Sequence, residues 1–193
     1  MRLADREGLD AVTLRRLASV LGVHVTSLYN HVPNHEAVID GVVQHLLAEA
    51  KLPVADFTWE DWIRRFAAAL LEMARAHPGA VNAFQRRPIQ GADAAASFEA
   101  AIGVFRDAGF GLEDAYNAVQ AAAKSMLAFA TEEAVRLREP SPPRTDLSVL
   151  PQDRFPNIHA VGDFLEEPET WSFLIDTLIA GLRTRLRSTA ASG

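Results

Sequence analysis

The stretch Thr13-Leu-Arg-Arg-Leu-Ala-Ser-Val-Leu-Gly-Val-His-Val-Thr-Ser-Leu-Tyr-Asn-His-Val32 decides how this chain is read. Thr13 can cap a helix that runs to Leu21, and Gly22 can stop it. A second, shorter helix is expected over about 26–32, broken at Pro33. Leu14, Leu17, Ala18 and Leu21 form an apolar face able to pack on Val23, Leu28 and Val32. Thr26, Ser27, Tyr29, Asn30 and His31 are then left pointing outward. Two short helices across a tight turn, the second one polar and exposed, make a helix-turn-helix unit. At about 1.5 Å rise per residue, a helix of about seven residues fits a major groove roughly 12 Å wide.

Each outward residue has chemistry suited to a nucleic acid. The Thr26 and Ser27 hydroxyls, with the unpaired N–H groups of that helix start, suit a phosphate. The Tyr29 hydroxyl suits another. Asn30 matches an adenine edge, and Arg15 is the candidate for bidentate contact with guanine. His31 and His35 can donate to phosphates, and do so better when protonated.

Outward from this stretch the pattern is helical, with no run of alternating β-branched residues. A short helix is expected over 2–7, ended by Gly8. Asn34 can cap a helix over about 35–51 before Pro53. Thr58-Trp-Glu-Asp61 reads as a capping box. It opens a helix with Trp59, Trp62, Ile63, Phe66, Leu70, Met73 and His77 at helical spacing, ended by Pro78-Gly79. Phe98, Ile102 and Phe105 mark another helix, stopped at Gly109 and Gly111. A long helix follows over 112–138. Five of the ten prolines fall in 140–157, which is expected to be a loop. The last helix is expected from about Pro168, with an apolar stripe Trp171, Leu174, Ile175, Leu178, Ile179, Leu182 and Leu186. The expected fold class is therefore all-α, with a small unit over 1–51 and a larger helical body over 52–193.

Composition narrows the function. The chain has 193 residues, 49% hydrophobic and 23% charged, which fits a globular protein. It has no cysteine, so disulfides, Cys-based zinc sites and thiol catalysis are excluded. Charged residues interrupt any signal-like start, and no apolar run reaches the roughly 18–20 residues that span a bilayer. A cytoplasmic location and no membrane partner are expected. Net charge is −6, and residues 1–51 carry five Lys and Arg against six Asp and Glu. A nucleic acid would be held by a few placed groups instead of a basic patch. His31 and His35 straddle Pro33, and His24, His45, His77 and His159 are scattered, so no metal site is expected. Glu132-Glu133 and Glu166-Glu167 are expected to be solvated. No Ser/His/Asp set, phosphate loop or carboxylate pair stands out, so neither a cofactor nor an enzyme is expected.

Val12-Thr-Leu-Arg-Arg-Leu-Ala-Ser-Val-Leu-Gly-Val23 and Thr26-Ser-Leu-Tyr-Asn-His-Val32, followed by Asn34 and a capped helix, closely resemble the TetR family of bacterial repressors. Thr58-Trp-Glu-Asp-Trp62, His77, Pro88, Gly109-Phe-Gly-Leu-Glu-Asp-Ala115 and the stripe of the last helix resemble the body of its tetracycline-binding class. The resemblance implies a homodimer that reads double-stranded operator DNA and is released by a small-molecule effector. Carried over by position, the DNA contacts fall on Thr13, Arg15, Val25, Thr26, Ser27, Tyr29, Asn30, His31 and His35. It also implies a four-helix dimer bundle from the helices starting near Leu112 and Pro168, with Trp171, Ile175, Leu178, Ile179 and Leu182 as candidate interface residues.

The effector site implied lies between the Trp59, Phe98 and Leu112 helices. Trp62, Phe66, Leu70, Phe84, Phe105, Met126 and Phe129 are its apolar candidates, and Gln120 and Lys124 its polar ones. Such a lining suits a largely apolar effector. The metal-binding histidine and drug-contacting asparagine and glutamine of the tetracycline binders have no counterpart; the nearest positions are Phe84, Phe66 and Ala101. Magnesium–tetracycline is therefore not the expected ligand. Two further departures concern DNA. Met1 falls inside the family's first helix, so that helix is expected to be truncated. His35 stands where the family usually has a phosphate-gripping lysine. The alternative reading is a helical small-molecule-binding or scaffold dimer that no longer reads DNA.

Overall fold

The computed structural model describes residues 1–53, 57–86, 92–139, 149–161 and 170–191, and no strand occurs among them. Among the described residues ten α-helices follow one another: α1 (Arg2–Glu7), α2 (Leu14–Leu21), α3 (Val25–Tyr29), α4 (His35–Glu49), α5 (Trp59–Ala76), α6 (Ala83–Arg86), α7 (Ala92–Asp107), α8 (Leu112–Arg138), α9 (Pro156–Ala160) and α10 (Thr170–Ala191). A 3-10 turn, Leu9–Ala11, links α1 to α2.

Local chemistry sets most of these bounds. The side chains of Thr13, Asn34 and Thr58 accept the backbone N–H of Arg16, Ala37 and Asp61 at 3.1, 2.9 and 3.1 Å. Each removes one of the unpaired donors at a helix start. Gly22 closes α2 at φ 68°, in the left-handed region where a Cβ is unfavourable.

Two expectations about the second helix are corrected. α3 begins at Val25 and ends at Tyr29, short of Val32. Its start is set by His24, whose Nδ1 lies 3.4 Å from the Thr26 amide. Its end tightens into a turn, with His31 and Val32 both donating to the Leu28 carbonyl. Leu28 and Ala18 are buried between α2 and α3, whereas Leu21 and Val23 are 57% and 44% exposed. The latter two flank the Gly22 turn, at the rim of the helix pair.

The body is built on α5 and α8. Trp59, Trp62, Ile63, Phe66, Ala67, Leu70, Met73 and Ala74 form the buried face of α5. α8 answers with Ala115, Ala118, Val119, Ala122, Met126, Ala130 and Ala134. These mostly small side chains let the two helices approach closely. α7 covers one side of α8, where Phe98 meets Tyr116 edge-on at 5.9 Å. α10 covers the other, where Trp171 meets Phe129 at 5.5 Å. Ion pairs cross the rim: Arg64–Asp176 and Arg183–Glu60 join α5 to α10, and Arg185–Asp114 joins α8 to α10. Being largely exposed, each is worth little on its own.

Pro156–Ala160 forms one helical turn where the sequence suggests only loop. The rest of the proline-rich segment, 140–148, and the expected start of the last helix near Pro168 lie outside the described residues, as do Glu166 and Glu167. Glu133 is not solvated as expected. Its side chain is 13% exposed and held by Arg75 at 2.9 Å and Arg136 at 2.8 Å. These guanidiniums, Arg136 first, hold its carboxyl below the usual range.

Candidate nucleic-acid interface and the helical body

The outward residues of α2 and α3 lie where a groove could meet them. Thr13, Arg15, Thr26, Ser27, Tyr29, Asn30, His31 and His35 are exposed, and Val25 is half-buried. Tyr29, at 54% exposure, is a large ring left in water. The two adjacent arginines of α2 have different surroundings. Arg16 is gripped by Glu7 through Nε at 2.9 Å and Nη2 at 2.5 Å. That pair lowers the Glu7 pKa and raises that of Arg16. It ties α1 to α2 and neutralises a carboxylate near the reading helices. Arg15 makes no ion pair with a described residue and stays exposed.

Thr26 differs from the rest. Its hydroxyl lies 2.6 Å from His24 Nδ1 and, with that nitrogen as the acceptor, donates a hydrogen bond to it. For Thr26 to meet a phosphate, it must first leave His24. The motif does not reveal this contact, because histidine is not among the usual helix caps.

The candidate effector residues divide. Trp62, Phe66, Leu70, Phe84, Phe105 and Met126 are buried, and Phe129 is half-buried. Trp62 stacks on Phe66 at 4.9 Å and meets Phe105 edge-on at 5.7 Å. Its indole N–H donates to the Pro53 carbonyl at 3.0 Å. Trp59 and Phe110 extend the same aromatic cluster through Phe105. The polar candidates do not line it. Lys124 is exposed and Gln120 half-buried. Lys124 stands two residues from both Ala122 and Met126, and about 100° per residue carries it to the far side of α8. A small depression of about 220 Å³ lies instead between α8 and α10, lined by Asp114, Asn117, Ala118, Ala121, Leu182 and Arg185. None of the nine candidate residues borders it, and it is smaller than ligand pockets usually are.

The candidate interface residues also divide. Ile175, Ile179 and Leu182 are buried within their own chain, at 8%, 1% and 7% exposure. Their burial against the body leaves little of them for a partner. Trp171 and Leu178 are half-buried. The outer face of α10 carries Phe173, 71% exposed, with Thr177, Ala180 and Thr184.

One cluster escaped the sequence reading. His77, at the end of α5, places Nδ1 3.0 Å from Asp5 Oδ2 and Nε2 2.6 Å from Glu49 Oε2. Glu49 also meets His45 at 3.1 Å. The spacing of His45 and Glu49 makes that pair legible on a helix. The link from Asp5 to His77 spans 72 residues and has no sequence signal. Among the described residues, no group of His, Asp and Glu is arranged to hold a metal ion. No helix there is long and apolar enough to cross a membrane.

Comparison with known proteins adds to this geometry. A family model, the tetracyclin repressor-like C-terminal domain, matches residues 52–186. An HTH-type transcriptional regulator of Saccharopolyspora erythraea is 33% identical over 136 residues, covering 70% of this chain and 58% of that protein. The class A tetracycline repressor from transposon 1721, in Escherichia coli, is 35% identical over 127 residues, covering 61% and 55%. The chain thus spans little more than half the length of these two relatives. Among solved structures, Streptomyces coelicolor ActR, a TetR family protein in complex with actinorhodin, superposes with a TM-score of 0.81 at 27% identity, over 94% of this chain and 90% of that one.

Proposed function

The chain belongs to the tetracycline repressor family, and from that premise we propose that it is a DNA-binding transcriptional regulator, a repressor that a small-molecule effector releases from a palindromic operator. The observation that carries this reading is α3 and the turn after it: a short helix fixed at its start by His24, with Ser27, Tyr29, Asn30 and His31 exposed, as Arg15 of α2 is. The similar regulators described above support it.

In this reading residues 1–51 are the DNA-binding domain and 52–193 the effector-binding and dimerisation domain. Asn30 and Arg15 meet base edges, while Thr13, Ser27, Tyr29, His31 and His35 meet the backbone. Val25 packs at the groove wall, and Thr26 joins once it leaves His24. Two copies pair through the outer faces of α8 and α10, so that two α3 helices read two half-sites. Phe173, Trp171 and Leu178 of α10, and Lys124 and Gln120 of α8, lie at or beside these faces.

The effector is largely apolar and enters the body at the Trp62–Phe66–Phe105 cluster. ActR, of the same fold, is solved with actinorhodin bound, which supports a body that accepts a small organic ligand. The rings here are packed on one another, so binding requires a minor conformation in which they part. The effector favours that conformation, and the operator favours the other. The protein acts in the cytoplasm, performs no catalysis and needs no cofactor.

Arg15→Ala tests the base-reading assignment. On DNA flanking the chain's own gene it is expected to weaken binding by about 1–3 kcal/mol and to relax preference at one base pair. Titration of wild-type and variant protein on single-base variants of the site measures both. An unchanged affinity and an unchanged preference would remove Arg15 from the contact set.

A further inference from the structure

His77 sits where three elements meet. It caps the end of α5. Asp5 reaches it from α1 and Glu49 from α4. The turn that follows holds it there: a Cβ built on Gly79 would stand 2.0 Å from the Ala4 carbonyl oxygen, so α1 lies directly against this turn. His77 is 17% exposed and Asp5 24%, while Glu49 is 47% exposed.

Both ring nitrogens face carboxylate oxygens within hydrogen-bond distance. A neutral imidazole has one donor and one acceptor, so it can satisfy only one carboxylate and turns a lone pair on the other. An imidazolium donates to both. Asp5 adds to the asymmetry, because its Oδ1 is buried without a hydrogen-bond partner among the described residues. If Nδ1 loses its proton, that carboxylate keeps its charge and loses the bond to His77.

We propose that His77 is a proton-dependent latch: charged, it clasps α1 and α4 to the end of α5, and neutral, it releases one of them. This goes beyond the regulatory reading and does not depend on DNA binding. It places a joint between α5, which carries Trp62 and Phe66, and α4, which follows directly on α2 and α3. Other charged groups at the joint are His45 on α4, the amino group of Met1, and Arg138 at the end of α8, beside Gly8 and Gly79. The two carboxylates are the groups in direct contact with the ring.

Partial burial works against the charge on His77, but the hydrogen bonds and charges of Asp5 and Glu49 outweigh it and raise its pKa above the ordinary histidine value. The hydrogen bond to His77 is the main cause that holds Glu49 below the usual carboxylate range. The sign follows. The latch is closed below the ordinary histidine value of about 6.5 and opens as pH rises through the raised value. At the acid end it weakens as pH falls through the lowered value of Glu49.

Amide hydrogen exchange on the full chain, corrected for intrinsic rates, tests this. Between about pH 6 and about pH 9, the segment that the neutral ring releases, residues 2–7 or 46–50, is expected to lose protection by roughly several-fold. Residues 112–138 are expected to keep theirs. His77→Gln, which cannot be charged, is expected to show the weaker protection at both pH values. Equal protection of the wild type at both, or a pH dependence that survives in His77→Gln, would overturn the proposal. NMR titration of the His77 ring gives a second reading that needs no substitution at His77. Its midpoint is expected above about 6.5 and lower in Glu49→Gln than in wild type. A wild-type midpoint at or below the ordinary value, or one unmoved by Glu49→Gln, would also overturn it.

Discussion

Replacing Phe105 by alanine is expected to destabilise the fold by about 3–5 kcal/mol. The ring is fully buried. It meets Trp59 at 5.9 Å, Trp62 at 5.7 Å and Phe110 at 5.5 Å, so it is the shared member of the aromatic cluster. Truncation removes the transfer free energy of the ring and leaves a space that two indoles on one helix cannot both fill. For a chain of this length, about 2–4 °C of melting temperature accompanies each kcal/mol, so a fall of roughly 10 °C is expected. Chemical denaturation with an unchanged slope checks it. A loss under about 1 kcal/mol would mean that the cluster repacks freely and is no rigid core.

Gly79→Ala has the second largest expected effect, about 3 kcal/mol, and for a different reason. The space for a methyl group is taken by backbone, the Ala4 carbonyl, with Arg138 Nη1 also within 2.6 Å of the added carbon. A flexible side chain could yield, but a helix carbonyl moves only if α1 moves. Leu3 and Ala4 of α1 are buried, so lifting that helix exposes apolar surface. The same displacement would part Asp5 from His77. Thermal denaturation gives the magnitude, and faster exchange of the amides of residues 2–7 locates the damage. A variant with wild-type stability and wild-type exchange in α1 would show that the turn and the helix are not in contact in solution.

The helices were legible where a local signal marks their ends. Thr13, Asn34 and Thr58 cap as their side-chain chemistry requires, and Gly22 stops α2 as only a residue without a Cβ does easily. α8 is found over the whole expected span, Leu112–Arg138, because its apolar spacing and the glycine before it agree. What was not legible depends on which neighbour covers a face. The stripe of α10 is apolar whether it packs on its own chain or on a second copy, and Ile175, Ile179 and Leu182 turned out to face inward. Lys124 and Gln120 have polar chemistry that suits a ligand, yet their position on α8 takes them away from the aromatic cluster. The start of α3 depends on His24, a cap without a sequence rule. The His77 cluster joins residues far apart in the chain, and only the fold brings them together.

The same distinction governs the proposed DNA interface. Its residue types were legible, but the division of labour between Arg15 and Arg16 was not, because Glu7 takes one arginine and leaves the other exposed. With so few cations, binding has to depend on a small number of phosphate contacts, and that gives it a measurable signature.

Fluorescence anisotropy of a labelled duplex from the DNA flanking the chain's own gene, titrated with the full chain at increasing salt, tests the central claim most directly. The account predicts a saturable complex whose log affinity falls linearly with log salt, with a shallow slope set by a few phosphate contacts and an unrelated duplex bound far more weakly. No complex at any salt, or equal affinity for both duplexes, would contradict it and leave a helical body that binds small molecules without reading DNA.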